Sequence, residues 1–225
     1  MIPLRDSTRS STAPVVVYSI IAACIGVFVY TAALGSRSAE AAFFTTYGAV
    51  PRAITQGPWP EAWRGLLTSI FMHGSWAHLG GNMLYLWIFG DNVEDAMGHG
   101  RFLVFYLITG VAAALSHVAA QPVSPVPLVG ASGAIAGVLG AYLILYPRAR
   151  VLALVILGFF IRTVELPAVL VLSLWFILQL VQGFGTLSAP GATTVAWWAH
   201  VGGFVAGAVL VFLFARRGSG LRAYG

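Results

Sequence analysis

The chain has 225 residues, of which 59% are hydrophobic and 8% charged, with a mean hydropathy of +0.87. A soluble domain carries about 25% charged residues, so the composition excludes a water-soluble globular body and predicts an all-α, polytopic membrane protein. The net charge of +5 comes from twelve arginines and no lysine, spread over short connectors; this suits a positive-inside bias and excludes a nucleic-acid-binding face.

In chain order, residues 1–14 are polar, with Arg5, Asp6 and Arg9, and predict a cytoplasmic N-terminal tail rather than a transit peptide. Residues 15–34 form a first apolar span. It holds Cys24, the only cysteine, so no intrachain disulfide is possible. Residues 35–72 make a long loop rich in aromatics, including Phe43, Phe44, Tyr47, Trp59 and Trp63, with a few charges. Such rings settle at the bilayer interface, and part of the loop is expected to be helical there.

A second span covers 76–92 and runs into Asp91, Asn92, Glu94 and Asp95. A third covers 101–120. The connector 121–131 has three prolines and no charge, so it is expected to dip into the protein rather than stand in water. The fourth span is 132–147. Residues 148–165 are apolar between flanking arginines but too short to cross, and predict an interfacial or re-entrant loop. The fifth span is 166–181, followed by an uncharged loop at 182–195 able to act as a flexible cap. The sixth is 196–215, with a cytoplasmic tail at 216–225. Residues 15–215 therefore form one six-helix membrane domain. Six spans put nine arginines on the side of both termini and three opposite, which assigns the termini to the cytoplasm.

The fourth span is short and rich in glycine. From Ser132 to Tyr146 a helix rises only about 21 Å, against a hydrocarbon core of about 30 Å. With Pro147-Arg148 at the cytoplasmic interface, Ser132 lies roughly 9 Å below the outer surface. Intramembrane polar residues are functional candidates by default. His78 and Asn82 are at i and i+4 on the second helix, near the same depth. On the sixth span His200, Gly203 and Gly207 share a face, and Gly133 and Gly137 repeat that spacing on the fourth. Small residues let helix axes approach, so packing these faces sets His200 beside Ser132. A hydroxyl within reach of an imidazole is a nucleophile with its general base. Asn82, His78 and the free backbone N–H groups at Ser132 are candidate donors to an oxyanion. Asp91, Glu94 and Asp95 lie at the far end of the second helix, so no carboxylate joins the pair, and packing or a neutral hydrogen bond must orient the imidazole.

Three motifs carry a family resemblance: Gly130-Ala131-Ser132-Gly133, His78-Leu79-Gly80-Gly81-Asn82, and Ala199-His200-Val201-Gly202-Gly203-Phe204-Val205-Ala206-Gly207. In that arrangement, over about residues 60–210, the chain resembles the rhomboid intramembrane serine proteases. The resemblance implies a six-helix core with Ser132 as nucleophile, His200 as base, and His78 and Asn82 at the oxyanion. Trp63-Arg64 resembles the family's W-R pair. Some members place a Tyr four residues after the serine, where this chain has Ala136. The expected activity is endopeptidase cleavage of transmembrane substrate proteins within the lipid bilayer of a bacterial inner membrane, with no cofactor; oligomeric state is open. Two other classes remain at this point: a rhomboid-like protein that binds helices without cutting them, and a small-solute transporter. The remaining histidines, His73, His99 and His117, read as structural or solvated. No H-E-x-x-H stands in the sequence, which argues against a metal site.

Overall fold

The computed structural model describes residues 2–57, 60–157, 160–188 and 195–216. The chain is mostly helical. After a short strand β1 (Ile2–Asp6) come α1 (Val15–Ala32), α2 (Arg37–Tyr47), α3 (Pro51–Gln56) and α4 (Glu61–Thr68), the last running into a 3₁₀ turn at Ser69–Phe71. Then follow α5 (Trp76–Met97), α6 (His99–Ala120), α7 (Ser132–Leu145), strands β2 (Arg150–Leu157) and β3 (Phe160–Pro167), α8 (Ala168–Ser188) and α9 (Trp197–Phe214).

Among the described residues four helices, α1, α6, α8 and α9, are long and apolar enough to cross a membrane. Their outward faces carry Val29, Val104, Ile108, Leu174, Ile177, Leu178, Val209 and Leu213 in the open. That pattern is unstable in water and satisfied by lipid. At the centre stands α7, packed against α5, α6, α8 and α9 and with eleven of its fourteen residues buried. Its glycines explain the position. A Cβ on Gly137 would meet Thr109 of α6 at 2.5 Å, and one on Gly140 would meet the Phe204 carbonyl of α9 at 2.2 Å. Only bare backbone fits between those neighbours.

The expected helical bundle is present, and to it is added a three-stranded antiparallel sheet, ordered β1-β2-β3, that the all-α reading did not include. Where an interfacial or re-entrant loop was expected over 148–165, β2 and β3 pair as antiparallel strands. The physical reason is composition: Val151, Val155, Ile161, Thr163 and Val164 are β-branched and favour a pleated surface, and pairing satisfies backbone groups that an apolar loop would leave open. The sheet draws in the N-terminal segment too, since Ile2 pairs with Leu154 and Asp6 with Val151. The segment expected as a polar tail is thus ordered as strand and connector. The fifth helix begins at Ala168, because Leu166 and Pro167 belong to β3, and it runs past residue 181 to Ser188. The loop expected over 182–195 is therefore helical in its first part; residues 189–194 lie outside those described, as does the tail beyond Arg216.

The acidic end of α5 anchors this region. Glu94 accepts hydrogen bonds from the Val16 and Val17 amides at 3.0 and 2.8 Å and so caps α1. Asp95 accepts from Ser11 and Thr12, and Asp91 from Ser10. Asp6 accepts from the Tyr142 hydroxyl and from Asn92 Nδ2. Burial pushes the Asp6 carboxyl above its ordinary range, with the hydrogen bonds from Tyr142 and Thr8 opposing the shift. On the other face, the proline-rich connector does not dip into the protein as expected: Val123 and Val126 are exposed and only Ala131 is buried. Its last part is tied down where Leu128 bridges to Ala49 and the Gly130 amide donates to the Ser69 carbonyl at 2.9 Å.

Candidate active site

Ser132 is the first residue of α7. The chain reaches it through Gly130, whose φ of +133° is glycine backbone. A Cβ at 130 would also strike the His78 ring, at 2.8 Å from Cε1 and Nε2, and would lie 3.6 Å from Ser132 Oγ. The bare backbone at Gly130 therefore leaves room for the His78 ring next to the turn that leads to Ser132. A small cavity bordered by Ser69, Gly130, Ser132 and Gly133 opens at that turn.

His200 comes from the first turn of α9. Its Nε2 lies 2.8 Å from Ser132 Oγ. The approach depends on two glycines below it: a Cβ on Gly203 would sit 2.0 Å from the Gly133 carbonyl oxygen, and one on Gly207 would sit 1.9 Å from that of Gly137. The two small-residue faces read from the sequence do pack against each other, and the contact is backbone on backbone.

On its other side the ring is held by α8. Gln179 Oε1 lies 2.7 Å from His200 Nδ1, and Gln179 is buried. Trp175, one turn earlier on the same helix, has its ring centroid 5.9 Å from the imidazole, while Trp197 closes a third side at 6.2 Å. Where Ala136 leaves no aromatic beneath the histidine, α8 supplies the supporting surface. Neither Trp175 nor Gln179 was singled out by sequence reasoning. A buried-polar criterion applied to the fifth span, as it was to the second, fourth and sixth, would have flagged Gln179.

Asn82 is buried on α5, one turn beyond His78, and its side-chain NH₂ has no partner among the described residues. A buried unpaired donor is costly, and such a group is suited to receive an acceptor that arrives with a ligand. His73 is buried too, with its ring 5.1 Å from that of His78. His99 leaves the site altogether and bonds Glu94 at 2.6 Å. Arg64 donates to the Thr46 carbonyl at 3.0 Å and lies over the Tyr47 ring, so the Trp63-Arg64 pair braces the first loop. Among the described residues, no three His, Cys, Asp or Glu side chains cluster as metal ligands would.

The assembly is an integral membrane bundle with a serine hydroxyl and an imidazole hydrogen-bonded inside it. The chain belongs to the rhomboid family: residues 60–217 match the rhomboid domain. It is 36% identical over 154 residues to the rhomboid protease GluP of Bacillus subtilis, covering 68% of this chain and 26% of that protein. It is 32% identical over 160 residues to the chloroplastic rhomboid-like protein 11 of Arabidopsis thaliana, covering 69% of this chain and 54% of that one. To the rhomboid protease GlpG of Salmonella paratyphi A it is 24% identical over 211 residues, 94% of this chain and 67% of that one. The chain thus spans only about a quarter to a half of the first two relatives.

Proposed function

We propose that this chain is an intramembrane serine endopeptidase that cuts transmembrane substrate proteins with a Ser132–His200 dyad. The observation that carries the reading is the 2.8 Å Oγ–Nε2 contact between two helices of a membrane bundle. At that distance the imidazole takes the hydroxyl proton as Ser132 attacks a carbonyl. The tetrahedral oxyanion is then met by Asn82 Nδ2, by His78 and by the backbone N–H groups at Ser132. His200 returns the proton to the leaving amine, and water releases the acyl group.

In this reading α5 and α7 join the four long apolar helices as spans, giving six. Helix α7 is short because it starts at the reactive depth. The arginine distribution puts residues 1–14 and 216–225 at the cytoplasmic face of a membrane domain over 15–215, and Ser132 towards the outer leaflet. A bacterial inner membrane is the proposed location. A substrate helix must unwind locally to expose its carbonyl, so residues of poor helix propensity favour cleavage.

The test uses purified protein, a fluorophosphonate probe and a transmembrane reporter. Wild-type protein should label at Ser132 and cut the reporter, and Ser132→Ala and His200→Ala should do neither. Folded wild-type protein that takes no label, or cleavage that survives Ser132→Ala, overturns the assignment.

A further inference from the structure

We propose that Gln179 is the positioning residue of this site: its side-chain carbonyl fixes the tautomer and the orientation of His200. The proposal rests on the protease reading above and adds the group that reading lacks. A base that accepts the Ser132 proton must present an unprotonated Nε2, which places the ring's hydrogen on Nδ1. An acceptor directed at Nδ1 selects that tautomer. In most hydrolytic triads a carboxylate does this, but here Asp91, Glu94 and Asp95 are all bound to the N-terminal segment or its flank at the opposite end of α5. Gln179 Oε1 stands 2.7 Å from Nδ1, while Nε2, the other ring nitrogen, faces Ser132 Oγ at 2.8 Å.

Two further observations favour a working role over a packing role. Gln179 is buried, whereas Gln182, the other amide of α8, is exposed, so at 179 a leucine would meet the same apolar neighbours. An intramembrane polar side chain without purpose is selected against by its transfer cost. Trp175 stands four residues before Gln179 and lies against the same imidazole, so one face of α8 supplies both the plane and the hydrogen bond that hold the ring. When Ser132 attacks, His200 becomes an imidazolium with two N–H donors. The carbonyl dipole then faces the new charge and stabilises it, so the contact strengthens in the transition state, where it counts for rate.

The variants are Gln179→Leu and Gln179→Met, which keep the bulk and remove the oxygen acceptor, and Gln179→Glu, which keeps the acceptor. Each is purified and compared with wild type in thermal stability, in fluorophosphonate labelling rate at Ser132, and in kcat and KM for a transmembrane reporter. Loss of one hydrogen bond to a charged ring predicts a fall of about 10- to 100-fold in labelling rate and kcat for Leu and Met, with KM and melting temperature close to wild type. Gln179→Glu should recover labelling to within a few fold of wild type. Met serves if Leu does not fold. The inference is overturned if Leu or Met labels at the wild-type rate, if Glu is as slow as Leu, or if the loss lies in KM alone. Folded wild-type protein that does not label brings down the protease reading, and this inference with it.

Discussion

Replacing Gly203 by alanine tests whether a backbone contact sets the chemistry. The added Cβ would lie 2.0 Å from the Gly133 carbonyl oxygen, whereas ordinary contact begins at 3.4 Å. Neither atom is the end of a flexible side chain, so α9 must back away from α7 by about 1.4 Å near that level. His200 is less than one turn from Gly203, and Ser132 is the residue beside Gly133. The 2.8 Å contact between Oγ and Nε2 then opens to ~4 Å, outside hydrogen-bond range. Losing a general base lowers rates by about 10²- to 10⁴-fold. Overpacking costs about 1–3 kcal/mol of stability, part of it offset by the better helix propensity of alanine, so the protein still folds. The assay is fluorophosphonate labelling per folded molecule, with Gly26→Ala as control because nothing lies within 4 Å of a Cβ there. Wild-type labelling by Gly203→Ala, with an unchanged melting temperature, would refute the claim that glycine packing positions the pair.

Two other outcomes follow from the same geometry. Asn82→Ala removes a buried donor that is unpaired among the described residues; kcat should fall by about 10²- to 10³-fold with KM little changed, and a change in KM alone would point to a binding role instead. Asp6 is a carboxyl whose pKa burial raises. The folded state therefore holds that proton more tightly than the unfolded chain does, so its contribution is most favourable below the ordinary carboxyl pKa of about 3.9 and is lost as pH rises through the raised value. Asp6→Asn should match wild type in acid and equal or exceed it in melting temperature at neutral pH. A variant less stable at neutral pH would mean that the Tyr142 and Asn92 bonds to the charged carboxylate outweigh its burial.

The helices and the serine–imidazole contact were legible because their signals are local and redundant. Ser132, His78 and His200 each stand in a glycine-flanked motif, and the repeated spacing of Gly133/Gly137 and Gly203/Gly207 names the faces that touch. The hairpin was not legible because residues 151–157 form an unbroken apolar run: the sequence shows no alternation, and periodicity cannot separate such a strand from a short membrane segment. Strand β1 was hidden for a different reason, since Ile2–Asp6 has no partner within forty residues and its register is set by β2, about 150 positions away. Gln179 escaped because it is a single amide in an apolar span with no motif around it; its meaning comes only from the ring that α9 brings against it.

The distribution of charge along α5 explains why the site is built from neutral groups. That helix carries His78 and Asn82 near its first turns and Asp91, Glu94 and Asp95 near its last. At the acidic end each carboxylate finds hydrogen-bond donors in the N-terminal segment or its flank. At the depth of Ser132 a carboxylate beside His200 would sit among the apolar residues of α8 and α9, where an ionised side chain costs about 2.5–3.5 kcal/mol or more. An amide avoids that cost but orients the ring with one hydrogen bond between neutral groups, which tolerates little displacement. Rigidity must then supply what charge does not. The Gly203–Gly133 and Gly207–Gly137 contacts, with Trp175 and Trp197 around the ring, leave the imidazole no alternative seat. The same reasoning makes the site more sensitive to helix displacement than a carboxylate-backed triad would be, and it ties the small residues at these four positions to the absence of an acid.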